Sequence, residues 1–196
     1  LVVRAHAKVN LDLRVLGTRP DGYHELRTVF QTIELHDTLV CTEHTGAFAL
    51  KCRTPGVPLD DSNLVWRAAA ALWKALGRAG DPRETMVSID KAIPMEAGLG
   101  GGSADAAGAL SGLARLWGGV PVTLLREVAS GIGADVAFFQ SNHEGALIDR
   151  LHVRDRDQQL VQLVEEMSDE PQGLELGGVS TITAGSPDLD LPIEDL

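Results

Sequence analysis

A glycine-rich stretch over residues 94–105 carries the residue types best suited to chemistry in this sequence. It reads PMEAGLGGGSAD, with four glycines in the five positions from Gly98 to Gly102. Glycines let a backbone adopt positive φ and approach a ligand without a Cβ clash. A helix that begins after such a turn presents unpaired N–H groups and its positive dipole end to an anion. The pattern predicts a phosphate-binding loop, with Ser103 capping the helix and offering its hydroxyl to phosphate or magnesium.

Two well-known phosphate loops do not fit this stretch. The pattern GxxxxGK[ST] requires a lysine after the glycines, and none follows Gly102. The pattern GxGxxG fails by register, because Gly98 and Gly100 would require glycine at position 103. The simpler alternative is a flexible glycine turn with no ligand. A predicted strand before the turn and a helix of small residues after it favour the phosphate loop.

The elements that position this loop follow from the spacing of apolar residues. Apolar and polar residues alternate over Val3–Leu13, which predicts a half-buried strand. Asp61-Ser62-Asn63 is typical of a helix start, and Pro121 suits the first turn of another helix. The predicted strands cover 3–13, about 26–35, 37–43, 47–52 and 85–90, and the predicted helices cover 64–76, 103–117 and 122–130. Strands kept apart from a few helices predict an α+β domain.

The net charge of −11 is concentrated in the last part of the chain. Residues 1–140 hold 15 acidic and 14 basic residues, whereas residues 141–196 hold 13 acidic and 3 basic residues. There is no basic patch, which argues against nucleic-acid binding. Neither an uncharged apolar run of about 18 residues nor a secretory signal is visible, which argues against a membrane protein. The composition predicts a globular cytoplasmic protein and leaves its oligomeric state open.

The two cysteines, Cys41 and Cys52, leave two possibilities open. Their spacing fits no metal-ligand pattern. A disulfide is geometrically possible if the two residues lie on paired strands. Two buried free thiols in a reducing cytosol are the simpler interpretation.

Two motifs resemble those of the GHMP kinase superfamily. Residues 94–107, PMEAGLGGGSADAA, are similar to its second motif, which binds ATP through such a loop. Residues 7–11, AKVNL, are similar to its first motif. The extension RPDGYHELRT at 19–28 resembles the member that acts in non-mevalonate isoprenoid biosynthesis.

With NLV at 63–65 and GADV at 133–136, the resemblance covers roughly residues 1–140. It implies the fold of a GHMP-kinase N-terminal domain (ribosomal protein S5 domain 2-like), with the C-terminal kinase domain missing or replaced. It also implies ATP as co-substrate, Mg²⁺, and phosphorylation of the 2-hydroxyl of 4-diphosphocytidyl-2-C-methyl-D-erythritol. Another GHMP small-molecule kinase, such as a homoserine or mevalonate kinase, is an alternative that RPDGYHELRT argues against.

The resemblance assigns the catalytic roles to Asp135 and Lys8. Asp135 lies in the GADV motif and is implied as the base that takes the proton from the attacking hydroxyl. Lys8 is its implied partner, because a cation there stabilises the carboxylate and the charge on the transferred phosphoryl group. Without the resemblance, Asp135 would be a turn or helix-cap aspartate and Lys8 a solvated strand lysine.

The resemblance also implies the residues that hold the two substrates. Tyr23 and His24 resemble the cytidine-recognising pair, with a packed loop aromatic and a surface histidine as the structural alternatives. Asn10, on the same strand face as the lysine, could hydrogen-bond the substrate. Asn63 resembles an adenine contact but suits a helix cap equally, and Asp105 suits either magnesium or the helix dipole. The implied nucleotide-binding residues are Asn63, Pro94, Gly98, Leu99, Gly100, Gly101, Gly102, Ser103 and Ala104.

Residues 141–196 match no motif of the superfamily, including its third glycine- and serine-rich motif. Apolar spacing over 151–167 predicts an amphipathic helix, and the residues from 168 onward predict a weakly structured acidic tail. We therefore predict an ATP-binding and catalytic domain over 1–140 and an unassigned acidic segment over 141–196. This segment leaves open a non-catalytic alternative, a truncated nucleotide-binding module or a pseudokinase.

Overall fold

The chain builds a mixed β-sheet with helices packed against it. The computed structural model describes residues 1–18, 23–141, 145–154 and 180–183. Within those residues there are six strands and four helices. The strands are β1 (Val2–Thr18), β2 (Tyr23–Ala47), β3 (Ala49–Cys52), β4 (Arg83–Asp90), β5 (Gly145–Arg154) and β6 (Ser180–Thr183). The helices are α1 (Leu64–Ala75), α2 (Gly101–Trp117), α3 (Val122–Ile132) and α4 (Ala134–Gln140).

The long strand β2 organises the sheet. It pairs with β1 along one edge, and on its other edge it pairs with β5 through residues 23–31 and with β4 through residues 38–47. These pairings are antiparallel, whereas β3 with β4 and β5 with β6 are parallel. The resulting order is β3-β4-β2-β5-β6, with β1 beside β2. The α+β class is confirmed, because the central pairings are antiparallel and three of the four helices, α2 to α4, follow one another without a strand between them.

Helix α2 packs directly on β1 and β2, and its small residues make this possible. Ala104, Ala106, Ala107 and Ala109 are all buried. A Cβ placed on Gly112 would lie 2.6 Å from the Cys41 sulfur, closer than atoms can approach. The small residues of α2 therefore allow it to approach the sheet closely.

Two strand predictions differ from the structure. The strands predicted over 26–35 and 37–43 are one continuous strand, β2. The gap between the two predicted strands lies next to Asp37, which is fully buried and whose carboxylate accepts two backbone N–H groups. A buried, satisfied aspartate does not interrupt a strand.

The C-terminal segment contains sheet structure that the sequence did not reveal. The helix predicted over 151–167 is wrong at 151–154, which belong to β5, and its other residues lie outside the described part of the chain. The tail predicted as weakly structured includes β6, which pairs with β5. Helix periodicity failed at 151–154 because the first two apolar residues of the predicted stripe, Leu151 and Val153, also fit the two-residue period of a strand.

Both cysteines are free thiols, as the simpler interpretation predicts, but only Cys41 is buried and Cys52 is half-buried. Strand β4 lies between the two strands that carry them, because it pairs with β2 on one side and β3 on the other. Cys41 is buried, and burial raises the pKa of its thiol to about 11. It therefore stays protonated and unreactive at neutral pH.

No helix among the described residues has the length and apolar character needed to span a bilayer.

Candidate active site

Lys8 is buried because the pairing of β1 shifts next to it. The register between β1 and β2 changes between His6 and Lys8, so that both Ala7 and Lys8 lie inside. A regular strand would place these neighbours on opposite faces. The Lys8 ammonium lies 3.7 Å from the Asp135 carboxylate. This distance is that of an ion pair without a direct hydrogen bond.

Asp135 remains open to a ligand. It lies in the first turn of α4, which begins directly after Gly133. Its side chain is 29% exposed, whereas that of Lys8 is 8% exposed. The pair therefore presents a carboxylate to the surface and keeps its cation beneath.

Asn10 is the direct hydrogen-bond partner of Lys8. The Lys8 Nζ donates to Asn10 Oδ1 at 2.7 Å, which confirms that the two side chains share a face of β1. Asn10 Nδ2 donates in turn to Thr28 Oγ1 at 2.7 Å. An amide has two lone pairs and two N–H groups, so one of each remains on the exposed Asn10 for a substrate.

The Lys8 ammonium also packs against the face of an aromatic ring. It lies 4.6 Å from the centre of the Phe30 ring, within range of a cation–π interaction. Phe30 packs against Phe138, with ring centres 4.9 Å apart. Both rings are fully buried, so they exclude water from the side of the ammonium that faces them.

The glycine loop ends in a helix whose first N–H groups are uncapped. Gly98 and Gly100 have φ of 71° and 70°, in the left-handed region that glycine adopts without strain. Helix α2 begins at Gly101 with Gly100 as N-cap, and no side chain caps it. The predicted cap at Ser103 is wrong, because Ser103 is the third residue of the helix. The uncapped N–H groups suit an anion.

Lys8 joins this loop to the ion pair. Its backbone N–H donates to the Leu99 carbonyl at 3.0 Å. A Cβ on Gly100 would lie 3.1 Å from Lys8 Cγ and 3.4 Å from Phe139 Cε2. The structure therefore brings Lys8, Asn10, Asp135 and the glycine loop into one site.

A buried charge cluster that the sequence did not single out lies beneath the loop. Lys91 Nζ donates to Asp37 and, at 2.8 Å, to Asp105. Asp37 also accepts from the backbone N–H groups of Ala92 and Ile93, at 2.6 and 2.8 Å. The cluster thus ties β2, the start of the loop and α2 together. The sequence does not distinguish a buried lysine from a solvated one. The partners of Lys91 also come from distant segments, so no local pattern predicts the cluster.

Asp105 has a different role from either that the sequence suggested. Its carboxylate is buried on Lys91, and its second oxygen has no partner among the described residues. Burial raises the pKa of this carboxyl to about 7, against the opposing effect of Lys91. The pKa of Lys91 is raised because its two carboxylate bonds outweigh its own burial.

The remaining predicted residues are placed less directly at the site. Asn63 caps α1 by accepting from the Val65 N–H at 2.8 Å and donates to the Pro58 carbonyl at 2.7 Å, so its structural alternative is confirmed. Its predicted adenine contact remains a prediction. Tyr23 and His24 begin β2, and their predicted contacts with cytidine involve side chains outside what the structure describes.

Comparison with known proteins shows which class of protein this chain resembles. Residues 63–143 match the family model described as GHMP kinases N terminal domain. A crystal structure of mevalonate kinase superposes with a TM-score of 0.54 at 14% identity, over 79% of this chain and 54% of that one, which shows the fold alone. Residues 63–143 are therefore similar to the N-terminal domain of GHMP kinases.

The more similar relatives share one name. A crystal structure of 4-(cytidine 5'-diphospho)-2C-methyl-D-erythritol kinase superposes with a TM-score of 0.60 at 37% identity, over 80% of this chain and 53% of that one. The 4-diphosphocytidyl-2-C-methyl-D-erythritol kinase of Symbiobacterium thermophilum is 47% identical over 70% of this chain and 48% of its own length. That of Chlorobaculum parvum is 45% identical over 70% and 47%. The chain spans about half the length of these relatives.

Proposed function

We propose that this protein transfers the γ-phosphoryl group of ATP to the 2-hydroxyl of 4-diphosphocytidyl-2-C-methyl-D-erythritol. The observation that carries the proposal is the Lys8–Asp135 pair, 3.7 Å apart, beside the loop whose Leu99 carbonyl is bonded to Lys8. Two relatives named 4-diphosphocytidyl-2-C-methyl-D-erythritol kinase, which are 47% and 45% identical to this chain, support the choice of substrate. Mevalonate kinase, at 14% identity, gives no comparable support for its own substrate.

The proposed chemistry divides between the loop and the ion pair. Asp135 takes the proton of the attacking hydroxyl as the new O–P bond forms. Lys8 balances the negative charge shared by the carboxylate and the transferred group. The N–H groups at the start of α2 hold the phosphates in place while the bond to the bridging oxygen breaks and ADP leaves.

Tyr23 and His24 are proposed to bind the cytidine, and Asn10 the alcohol. The exposed Asn10 amide stands next to Lys8, so a hydroxyl bound there would lie close to Asp135. This arrangement would place the nucleophile between its base and the phosphate loop, as phosphoryl transfer requires.

Magnesium is proposed to accompany ATP. No group of three or more His, Cys, Asp or Glu side chains in the described residues could hold a metal alone. Mg²⁺ does not need such a group, because it takes one or two protein ligands together with phosphate oxygens. Ser103, in the first turn of α2, is the proposed ligand, whereas Asp105 is occupied by Lys91. When bound, the ion would neutralise charge on the phosphates.

The division into residues 1–140 and 141–196 also remains a proposal, as does a cytoplasmic location. The family match that ends at 143 supports the division. Strand β5 nevertheless pairs with β2, so the two parts share a sheet.

The test is ADP release that depends on the cytidine substrate. We expect turnover by the chain, and a fall of about 100-fold or more in Asp135→Asn, the size expected from losing a general base. ATP affinity should be retained, because Asp135 lies outside the loop. Asp81→Asn makes the same chemical change at an exposed aspartate in the turn before β4 and serves as control.

Two results would contradict the proposal. ATP binding without substrate-dependent turnover would leave a non-catalytic nucleotide-binding module. Equal turnover by Asp135→Asn and the unaltered chain would remove Asp135 from the chemistry.

A further inference from the structure

Thr28 is a fully buried threonine whose hydroxyl is part of the site's hydrogen-bond chain. It lies on β2 opposite Leu13 of β1 and has no exposed surface. Its Oγ1 donates to the Asp12 carbonyl at 2.8 Å and accepts from Asn10 Nδ2 at 2.7 Å. A buried hydroxyl needs such partners, and Thr28 has one of each kind.

The donor and the acceptor of each hydrogen bond from the Asp12 carbonyl through Thr28 and Asn10 to Lys8 are determined. A hydroxyl has one proton, and the carbonyl of Asp12 can only accept it. Towards Asn10 the Thr28 oxygen therefore offers a lone pair, which requires an amide N–H. The Asn10 oxygen must then face Lys8, whose ammonium can only donate. Turning the amide over would oppose donor to donor at Lys8 and acceptor to acceptor at Thr28.

The Asp12 carbonyl is brought into reach by a second irregularity of β1. The register shifts between Asn10, which is opposite Phe30, and Asp12, which is opposite Val29. The intervening Leu11 is 54% exposed. Bulges of this kind redirect groups beside functional sites.

We propose that Thr28 is a positioning residue that acts through Asn10 to hold the Lys8 ammonium against Asp135. The inference rests on the proposed kinase function for its catalytic consequence. Thr28 itself touches no substrate in this account. Without its hydroxyl the Asn10 amide would lose the partner that sets its orientation, and Lys8 would lose the fixed acceptor at 2.7 Å.

The test compares Thr28→Val, which keeps the shape, with Thr28→Ser, which keeps the hydroxyl. In substrate-dependent ADP release, we expect kcat of Thr28→Val to fall about tenfold, the effect of one lost hydrogen bond in a buried network. The KM for ATP should stay within about twofold, because the loop is untouched. Thr28→Ser should recover kcat to within about twofold of the unaltered chain.

Thr85→Val is the matched control. Thr85 is also a buried strand threonine, and its hydroxyl accepts from the Trp117 indole at 2.8 Å at the far end of α2. Its loss should lower the melting temperature and leave kcat unchanged. Unchanged kcat in Thr28→Val would overturn the proposal, as would a Thr28→Ser variant as slow as Thr28→Val.

A second readout does not depend on kinase activity. The side-chain amide signals of Asn10 in ¹⁵N NMR should report slow hydrogen exchange in the unaltered chain and in Thr28→Ser, and faster exchange in Thr28→Val. Identical exchange in all three proteins would overturn the positioning role. If the unaltered chain lacks turnover but the amide responds as expected, the kinase proposal fails and the Thr28–Asn10 arrangement stands.

Discussion

At the scale of single residues, Lys8 unites the parts of the site. Its backbone N–H holds the loop at Leu99, its aliphatic stem packs beneath Gly100, and its ammonium faces Asp135 and Asn10. A lysine can serve these contacts together because a long flexible stem carries a compact charge. The motif resemblance predicts Lys8 and Asp135 as partners, and the structure places them within ion-pair distance.

Asp105 should make stability depend on pH. Its pKa is raised from 3.8 to about 7 in the folded protein, so between these values the folded state binds a proton that the unfolded state has released. The free energy of unfolding therefore falls as pH rises from about 4 to about 7, and this contribution is constant above that range.

Asp105→Asn removes this titration. We expect the melting temperature of the variant, relative to the unaltered chain, to rise with pH from about 4 to about 7 and then level off. Lys91 and Asp37, the charged groups that face Asp105, are common to both proteins. Melting curves recorded across this range check the expectation, and a constant difference between the two proteins would contradict it.

At the scale of elements, the turn into α2 depends on Gly100. A side chain there would have φ of 70° and a Cβ 3.1 Å from Lys8 Cγ. The conformation alone costs about 1–2 kcal/mol for a residue with a Cβ. The crowding is specific to the site, because it would displace Lys8 or lift the loop from it.

Gly100→Ala should therefore weaken ATP binding by about tenfold or more, since relieving the strain and the crowding moves the N–H groups that would hold phosphate. Gly118→Ala is the matched control, because Gly118 ends the same helix with φ of 82° and open space around it. Titration calorimetry with a non-hydrolysable ATP analogue checks both variants. Equal affinity in Gly100→Ala and Gly118→Ala would exclude a role for the turn.

At the scale of the whole molecule, local patterns predicted the parts that local sequence determines. Helices α1 and α2 were found to within two residues, since Asn63 and Gly118 are ordinary helix boundaries. The bulge before Lys8, the cluster around Lys91 and strand β5 were not found. Each depends on pairing between distant segments. The spacing of apolar residues within one segment does not specify which other segment pairs with it.

The same distinction applies to the site. The glycine loop was recognisable because consecutive glycines have few other uses before a helix. Thr28 was noticed as part of a motif, but its role depends on a carbonyl that the bulge at Leu11 brings to its hydroxyl. No spacing rule in one strand can predict that contact.

The proposed function is that this site phosphorylates the cytidine substrate. The most direct measurement is ³¹P NMR of the chain with ATP, Mg²⁺ and 4-diphosphocytidyl-2-C-methyl-D-erythritol. We predict a new phosphomonoester signal from the 2-phosphate that grows with ADP and is absent when the cytidine substrate is omitted. ATP that binds the protein and remains intact beside an unmodified cytidine substrate would contradict the account.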